Sequence, residues 1–453
     1  MNGRGVVVVG GGLAGISAAL ECARNDAGDV TVLESRGRLG GAAYSFVRHG
    51  MRVDNGQHVF LRCCSAYREL LERLDAPDSV TLQRRLAIPV LAPGGRVAWL
   101  RRSSLPAPLH LAGALARYRF LGMRERVSVA RAMRALGGVG ADEPATDGLS
   151  FGEWLREHRQ GPAAVETVWS LIGRPTLNLD PMHASLGQAA QVFQTGLLTD
   201  ASAGDVGYAR VPLSEIHDVA ARRALGRAGV DVRLRSGVTA IVPEADGSLR
   251  VEISGAPTLW AKAVIVAVPH DRAARLLPPL AVPDRGSLVG LGRSPIVNLH
   301  VVYDRRVLGW PFAAGVRTPV QWVFDRTSSA GLERGQYLVV SLSAADAEVG
   351  MSVEELRSRY LEALAALLPP ARAARVERFF VTREHGATFR AEPGARARRP
   401  GPRTAVPGLV LAGAWTDTGW PATMEGAVRS GKAAAREALL SLAREARPVA
   451  VAA

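Results

Sequence analysis

The chain has 453 residues, 47% of them hydrophobic and 22% charged, a balance that can bury a large core and excludes a disordered tail or a fibre. Its length allows two or three domains. A net charge of +14 ordinarily points to an anionic partner, nucleic acid or a lipid surface; yet only Lys262 and Lys432 are lysines and the other 54 basic residues are arginine, an excess that codon bias also produces.

Three cysteines, Cys22, Cys63 and Cys64, cannot staple a chain this long, and adjacent Cys63-Cys64 lacks metal-ligand spacing. Neither a metal site nor a secreted disulfide framework is expected, and a reducing cytosol fits. The sequence enters a strand pattern at Val6 without signal-peptide architecture, and no stretch approaches ~18 uninterrupted apolar residues, so no membrane span is expected.

In chain order, the β-branched run Val6-Val7-Val8-Val9 precedes a glycine cluster and the apolar series Leu13, Ile16 and Leu20. This reads as buried strand, tight turn and helix, and Val30-Thr31-Val32-Leu33 supplies a second strand, completing a βαβ unit. Residues 99–136 read as helical and basic, and an amphipathic helix is expected over 150–159. A second α/β stretch follows, with a helix over 215–228, strands over 230–234 and 238–242, and a buried strand over 264–269. Alternating segments at 297–303 and 337–343 suit a mixed sheet. Residues 408–413 give a last strand and glycine turn before a closing helix over 426–440. Strand-turn-helix units at start, middle and end imply a nucleotide-binding domain interrupted twice by a substrate domain.

Gly10-Gly11-Gly12-Leu13-Ala14-Gly15 satisfies G-x-G-x-x-G between a strand and a helix. Gly10 permits the tight turn, Gly12 lets the backbone approach a pyrophosphate, and Gly15 lets the helix pack on the strand. Glu34 ends the second strand, where an acid can hold both ribose hydroxyls and disfavours a phosphorylated ribose. Glu34-Ser35-Arg36-Gly37-Arg38-Leu39-Gly40-Gly41 then resembles the second glycine doublet of flavoproteins in the amine oxidase and carotenoid desaturase superfamily. Asp54-Asn55-Gly56-Gln57-His58 resembles that superfamily's D-x-G-x-H turn near flavin and substrate. The run from Leu411 through Gly413, Trp415, Asp417, Trp420, Met424 and Glu425 to Gly431 is similar to its terminal FAD motif. The superfamily usually has arginine at the place of Ala42 and aspartate at the place of Ala414.

Together with Ser150-Phe151-Gly152-Glu153-Trp154-Leu155, Leu177-Asn178 and Arg210-Val211-Pro212-Leu213-Ser214-Glu215, these segments resemble the hydroxysqualene dehydroxylases over essentially the whole chain. The resemblance implies an α/β fold with a discontinuous Rossmann-type, glutathione-reductase-like FAD-binding domain (1–75, 208–270 and 404–445). A mixed-sheet plus helical substrate domain (76–207 and 271–403) and a tail (446–453) complete it. FAD is the implied cofactor, contacted by Gly10, Gly12, Gly15, Glu34, Arg36, Arg38, Gly40, Gly41, Val238, Gly413, Met424 and Glu425. The implied reaction reduces hydroxysqualene with reduced FAD, beside prenyltransferase-like partners of squalene and hopanoid synthesis.

Loss of an allylic hydroxyl needs an acid, a dry apolar cavity and a flavin face. Asp54, His58, Asp205 and Asp417 are the acid candidates, with His58 and Asp417 favoured. Gln57, Tyr208, Trp415 and Trp420 are candidate substrate contacts, the tryptophans as π walls for a cation. Asp205 sits in a glycine-rich loop that otherwise reads as a solvated turn. Residues 96–135 hold nine arginines and one acid, Glu125, interleaved with bulky apolar groups, the composition of an interfacial helix pair on anionic lipid. A peripheral enzyme on the cytoplasmic face is expected, with no nucleic-acid partner. Two rivals remain open at this point: an oxidative polyprenoid desaturase, and a scaffold deficient in FAD because of Ala42 and Ala414.

Overall fold

The computed structural model describes residues 5–446; the tail expected from 446 onward otherwise lies outside the described residues. Gly5–Val9 is buried throughout because both its faces are covered. Val6 and Val8 point into one core with Leu13, Ile16 and Ala434. Val7 and Val9 point into another with Val238, Ile241 and Val251, the period of two that a strand imposes. Five parallel strands follow the order Asp231–Arg233, Asp29–Leu33, Gly5–Val9, Ala263–Val266, Leu409–Leu411. One sheet thus gathers strands from the beginning, middle and end of the chain. Helices Leu13–Arg24 and Met424–Ala446 cover one face, and an antiparallel meander of Val238–Pro243, Leu249–Ile253 and Ala256–Ala261 covers the other. The two helices touch closely at Gly431, where a Cβ would meet the Ala14 carbonyl at 2.2 Å.

A seven-stranded mixed sheet runs in the order Val376–Thr388, Ser294–Tyr303, Gln336–Ser343, Trp322–Asp325, Phe312–Gly315, Ala87–Ala92, Arg96–Arg101. Helix Val353–Leu367 packs Leu356, Tyr360 and Leu364 onto Val297, Leu299 and Val340 of this sheet. A smaller sheet sets Val206–Ala209 between Val59–Leu61 and Val80–Leu82.

One expectation is corrected here. Residues 96–101 form a strand rather than the start of a helical pair, because Gly94 and Gly95, at φ of 83° and 70°, turn the chain into a hairpin with Ala87–Ala92. Helices begin only beyond it, at Leu109–Leu111, Ala112–Ala116 and Met123–Leu136. Among the described residues no helix is long and apolar enough to cross a membrane.

Candidate active site

The carboxyl ends of the parallel strands carry a surface stripped of side chains. A Cβ on Gly41 would lie 2.8 Å from the Gly12 Cα, and one on Gly15 would lie 1.9 Å from the Gly10 carbonyl. Gly10 and Gly40, at φ of 110° and 95°, hold conformations that a side chain resists. The two glycine loops therefore meet face to face at the amino end of helix Leu13–Arg24, leaving backbone N–H groups for an anion.

Glu34 stands over this cradle, with the Gly11 N–H donating to it at 2.7 Å and the Arg36 N–H at 2.8 Å. Arg38 donates to the Gly41 carbonyl at 3.2 Å and lies 3.4 Å above the Tyr44 ring. Desolvation, aided by the neighbouring Arg36, pulls its guanidinium below its ordinary range. Neither arginine has a carboxylate ion-pair partner among the described residues. A half-buried cation, Arg38, and an exposed one, Arg36, beside bare glycine backbone are a site for a pyrophosphate, and Glu34 fits a ribose diol. Val238 opens the meander next to this acid, since Ser236 N–H donates to the Glu34 carbonyl at 2.8 Å. The residues present fit FAD, and Arg36 and Arg38 bring charge to the loop where Ala42 brings none.

The terminal motif is bracketed from an unexpected side. Gly413, at φ of 144°, accepts no Cβ because the Trp415 Nε1 would be 2.3 Å away, and that indole donates to the Val268 carbonyl at 2.9 Å. Trp415 is thus a buried brace between the motif and the neighbouring strand. Trp420 is covered by the Arg429 guanidinium at 4.8 Å. Arg399, buried, donates to the carbonyls of Trp415, Thr416 and Trp420 at 3.2, 2.6 and 2.8 Å. Desolvation lowers its pKa to about 10. The Asp417 carboxylate accepts from Arg396 at 3.3 Å and from the Gly419 N–H at 3.1 Å, a turn-stabilising pattern. Met424 begins the closing helix. Glu425 turns away from the cradle and accepts from Ala66 N–H, Tyr67 N–H and Arg429 at 3.1, 2.7 and 2.6 Å. Its carboxylate grips the start of helix Ser65–Arg73, which leaves the backbone at the start of the closing helix to face the cradle.

The D-x-G-x-H turn brings Asp54, Gln57 and His58 into one cavity with Tyr208, Phe324 and Arg326. Asp54 is committed to structure: it accepts from Arg326 at 2.8 Å, Ser45 at 2.6 Å and Leu213 N–H at 3.0 Å. His58 differs, since its ring has no hydrogen bond among the described residues. Desolvation pulls its pKa down, and the Asp54 charge opposes this. Tyr208 joins Phe312, Trp322 and Phe324 in an aromatic cluster with successive centroids 5.7 to 6.2 Å apart. Asp205 is no solvated turn: it is fully buried between Arg62 at 2.9 Å and Arg102 at 2.6 Å. Desolvation pushes its carboxyl up, and hydrogen bonds from Arg102 and Arg62 more than reverse that.

Sequence reasoning missed Arg326, Arg399, His217 and the aromatic trio; Arg326 and His217 are more than 100 residues from the partners they touch. His217 is buried beside the second glycine doublet, with Nδ1 3.2 Å from the Ala43 carbonyl and Nε2 2.9 Å from the Tyr67 hydroxyl. That pattern assigns the proton to Nδ1, leaving Nε2 to accept. Burial lowers its pKa to about 4, and the nearby His58 adds to the shift.

The chain matches the family model "Flavin containing amine oxidoreductase" over residues 13–439. It is 30% identical over 443 residues to the hydroxysqualene dehydroxylase of Rhodopseudomonas palustris, covering 95% of this chain and 97% of that one. It is also 26% identical over 460 residues to the 15-cis-phytoene desaturase of Narcissus pseudonarcissus, covering 96% of this chain and 79% of that one. Among solved structures, cyclohexylamine oxidase from Brevibacterium oxydans superposes with a TM-score of 0.70 at 20% identity, over 98% of this chain and all of that one; it supports the fold alone. With a family match across nearly its whole length and a cradle that fits FAD, the chain belongs to the flavin-containing amine oxidoreductases and is an FAD-dependent oxidoreductase.

Proposed function

We propose that this chain reduces hydroxysqualene to squalene, expelling the allylic hydroxyl as water and replacing it with hydride. The observation that carries this reading is the 30% identity to a hydroxysqualene dehydroxylase across 95% of the chain, a span that includes the substrate domain. Reduced FAD, when bound by the two glycine loops, Glu34, Arg36, Arg38 and the 413–426 turn, supplies the hydride.

The chain's own side chains supply the rest. His58 faces the cavity with both ring nitrogens unengaged, so it is the group able to protonate the leaving hydroxyl. Its desolvation makes the imidazolium a stronger acid than usual, and Asp54 keeps that imidazolium accessible. Asp54 and Asp417 already have their oxygens occupied, so they position the turns that carry the chemistry. Tyr208 and Phe324, which line the cavity beside His58, offer π faces to the delocalised cation left by water loss, and Phe312 and Trp322 pack behind them.

A polyprenoid alcohol is insoluble in water, and the surface offers a place to collect it. Leu105, Leu109, Met123 and Val127 are 52, 56, 70 and 44% exposed, beside exposed Arg117, Arg119 and Arg124. Apolar side chains within a basic rim suit the face of an anionic membrane. Prenyltransferase-like partners at that surface would deliver the substrate.

The desaturase reading has its own support in the 26% identity to a phytoene desaturase, and hydride then flows the other way. Anaerobic incubation of the photoreduced holoenzyme with hydroxysqualene decides between them. Stoichiometric squalene and return of the oxidised flavin spectrum are expected. No squalene there, with conversion of phytoene by the oxidised enzyme, reverses the assignment.

A further inference from the structure

Cys63 and Cys64 take no part in the chemistry above, yet they occupy a chemically distinctive place. Cys64 is the residue from which helix Ser65–Arg73 starts, and Cys63 directly precedes it. Cys63 is half-buried and lines a cleft of about 390 Å³ together with Arg62, Arg68, Thr195, Thr199 and Ser202. The cleft gives a small solute access to one sulfur, while the other lies behind it, buried. The neighbouring Cys64 thiol, with a smaller contribution from the Arg429 charge, lowers the Cys63 pKa despite opposing desolvation and the Glu425 charge. The adjoining Cys63 thiol and burial push the Cys64 thiol well above its ordinary value. One sulfur is thus nucleophilic and reachable, and its neighbour is a protonated reserve. Cys22, by contrast, is buried in the core with its thiol pushed up to about 12 by desolvation and by Glu21.

We propose that Cys63 and Cys64 form a peroxide-reactive vicinal dithiol whose oxidation loosens the enzyme's hold on FAD. The Cys63 thiolate attacks hydrogen peroxide, forming an S–O bond and breaking the O–O bond; hydroxide leaves and takes up a proton as water. The Cys64 thiol then loses its proton and attacks the Cys63 sulfenic sulfur, releasing a second water. In sum, two thiols and one peroxide give one disulfide and two waters, with both sulfurs oxidised and both peroxide oxygens reduced. The eight-membered ring that closes between adjacent residues cannot keep the present turn, in which Cys64 N–H donates to the Leu61 carbonyl at 2.9 Å and Ser65 N–H to the Cys63 carbonyl at 2.8 Å. The next two N–H groups, of Ala66 and Tyr67, are those bound by Glu425. Distorting the helix entrance strains the contact that anchors the start of the terminal FAD helix. This consequence rests on the assignment of FAD to the cradle; the disulfide itself does not.

The test treats FAD-loaded protein anaerobically with equimolar hydrogen peroxide, followed by alkylation, trypsin and mass spectrometry. The peptide from Cys63 to Arg68 is expected to lose two hydrogens and resist alkylation until reduced. Prior treatment with phenylarsine oxide, which bridges adjacent thiols, is expected to block this change with one arsenical per chain. Cys22→Ser should behave as wild type, whereas Cys64→Ser should stop at a sulfenic acid on Cys63. Free flavin fluorescence should appear about tenfold faster from the oxidised protein, the loss expected for one weakened charge-assisted hydrogen bond. Over-oxidation of Cys63 without a disulfide, a disulfide between chains, or two untouched thiols overturns the modification site. A disulfide that leaves flavin release unchanged overturns its regulatory role.

Discussion

Arg399 donates to the carbonyl oxygen of Thr416 across 2.6 Å, and the same guanidinium holds Trp415 and Trp420. A buried cation surrounded by carbonyl oxygens rather than a carboxylate fixes backbone and leaves the charge available to the cradle. Replacing it by methionine would leave several buried carbonyls without donors. Arg399→Met is therefore expected to lower unfolding free energy by about 3 kcal/mol and to weaken FAD binding at least tenfold. Denaturant melts and FAD titration of the apoprotein check this, and wild-type values in both would show that the turn stands without Arg399.

The proton donor makes a second, sharper expectation. His58→Ala should cut squalene formation by about 10²–10⁴-fold while the protein stays yellow. Asp417→Asn, which loses its pairing with Arg396, should retain turnover within several-fold. Because the acid is imidazolium and desolvation lowers its pKa, the wild-type rate should rise as pH falls through the range below ordinary histidine. It should fade as pH rises above that range. A His58→Ala enzyme that keeps the same pH profile removes His58 from this role.

Asp54 has a different task, and its variant should fail differently. Arg326 reaches it at 2.8 Å, and both side chains are almost wholly buried. Removing one partner strands the other, a loss of about 3–5 kcal/mol. Asp54→Ala should therefore lower the melting temperature steeply. Asp54→Ala with Arg326→Met should recover part of that loss, because no charge is left unpaired. An additive double variant would show that the pair contributes little.

Local chemistry made the cradle legible in the sequence. A strand, a glycine turn and a helix within residues 5–24, followed by Glu34, specify their own geometry, and the parallel sheet follows from the burial of four valines on two faces. The hairpin at Gly94 and Gly95 was misread because arginines on Arg96–Arg101 suggested a basic helix, although Arg101 lies on the Trp99 ring at 3.7 Å and Arg102 is drawn inward by Asp205. Long-range pairings were illegible for a simple reason. Asp54 finds its partner Arg326 at a separation of 272 residues along the chain, and Arg399 binds oxygens of a turn whose own sequence carries no demand for a cation.

The buried histidines predict acid sensitivity. His217 is held to a pKa of about 4 and His300 to about 3, both chiefly by burial. His300 sits between the Tyr337 hydroxyl at 2.7 Å and the Thr382 hydroxyl at 3.0 Å. Thr382 in turn donates to the Asn55 carbonyl at 3.3 Å, so His300 Nε2 carries the proton and Nδ1 accepts. Unfolding frees both rings to bind protons near pH 6.5, so below that pH the unfolded state gains protons that the folded state refuses. Stability is full above about pH 6.5 and falls with pH until each folded pKa is passed. The shares are on the order of 3 kcal/mol for His217 and 5 kcal/mol for His300. In urea melts between pH 7 and 4, His217→Gln should flatten the slope relative to wild type; an unchanged slope would mean that His217 is not held neutral.

The basic apolar patch yields the last expectation. Leu109 and Met123 are more than half exposed, and burying each in a lipid interface would gain about 1.5–3 kcal/mol at most. The nearby arginines add about 1 kcal/mol apiece at an anionic surface. Four of the nine arginines are already engaged, Arg96 with the Pro93 carbonyl, Arg101 with Trp99, Arg102 with Asp205 and Arg126 with the Leu121 and Ala116 carbonyls, which leaves exposed arginines such as Arg117, Arg119 and Arg124 to make the contact. In liposome flotation the holoenzyme should rise with phosphatidylglycerol vesicles and stay down with neutral ones. Leu109→Ser with Met123→Ser should weaken binding at every salt concentration, since their contribution is apolar. Arg119→Gln with Arg124→Gln should weaken it chiefly at low salt, where screening is least. Turnover of detergent-solubilised substrate should survive both pairs, because neither lies near His58 or the cradle. Binding that ignores lipid charge, or that survives both double variants, would move the contact elsewhere on the protein.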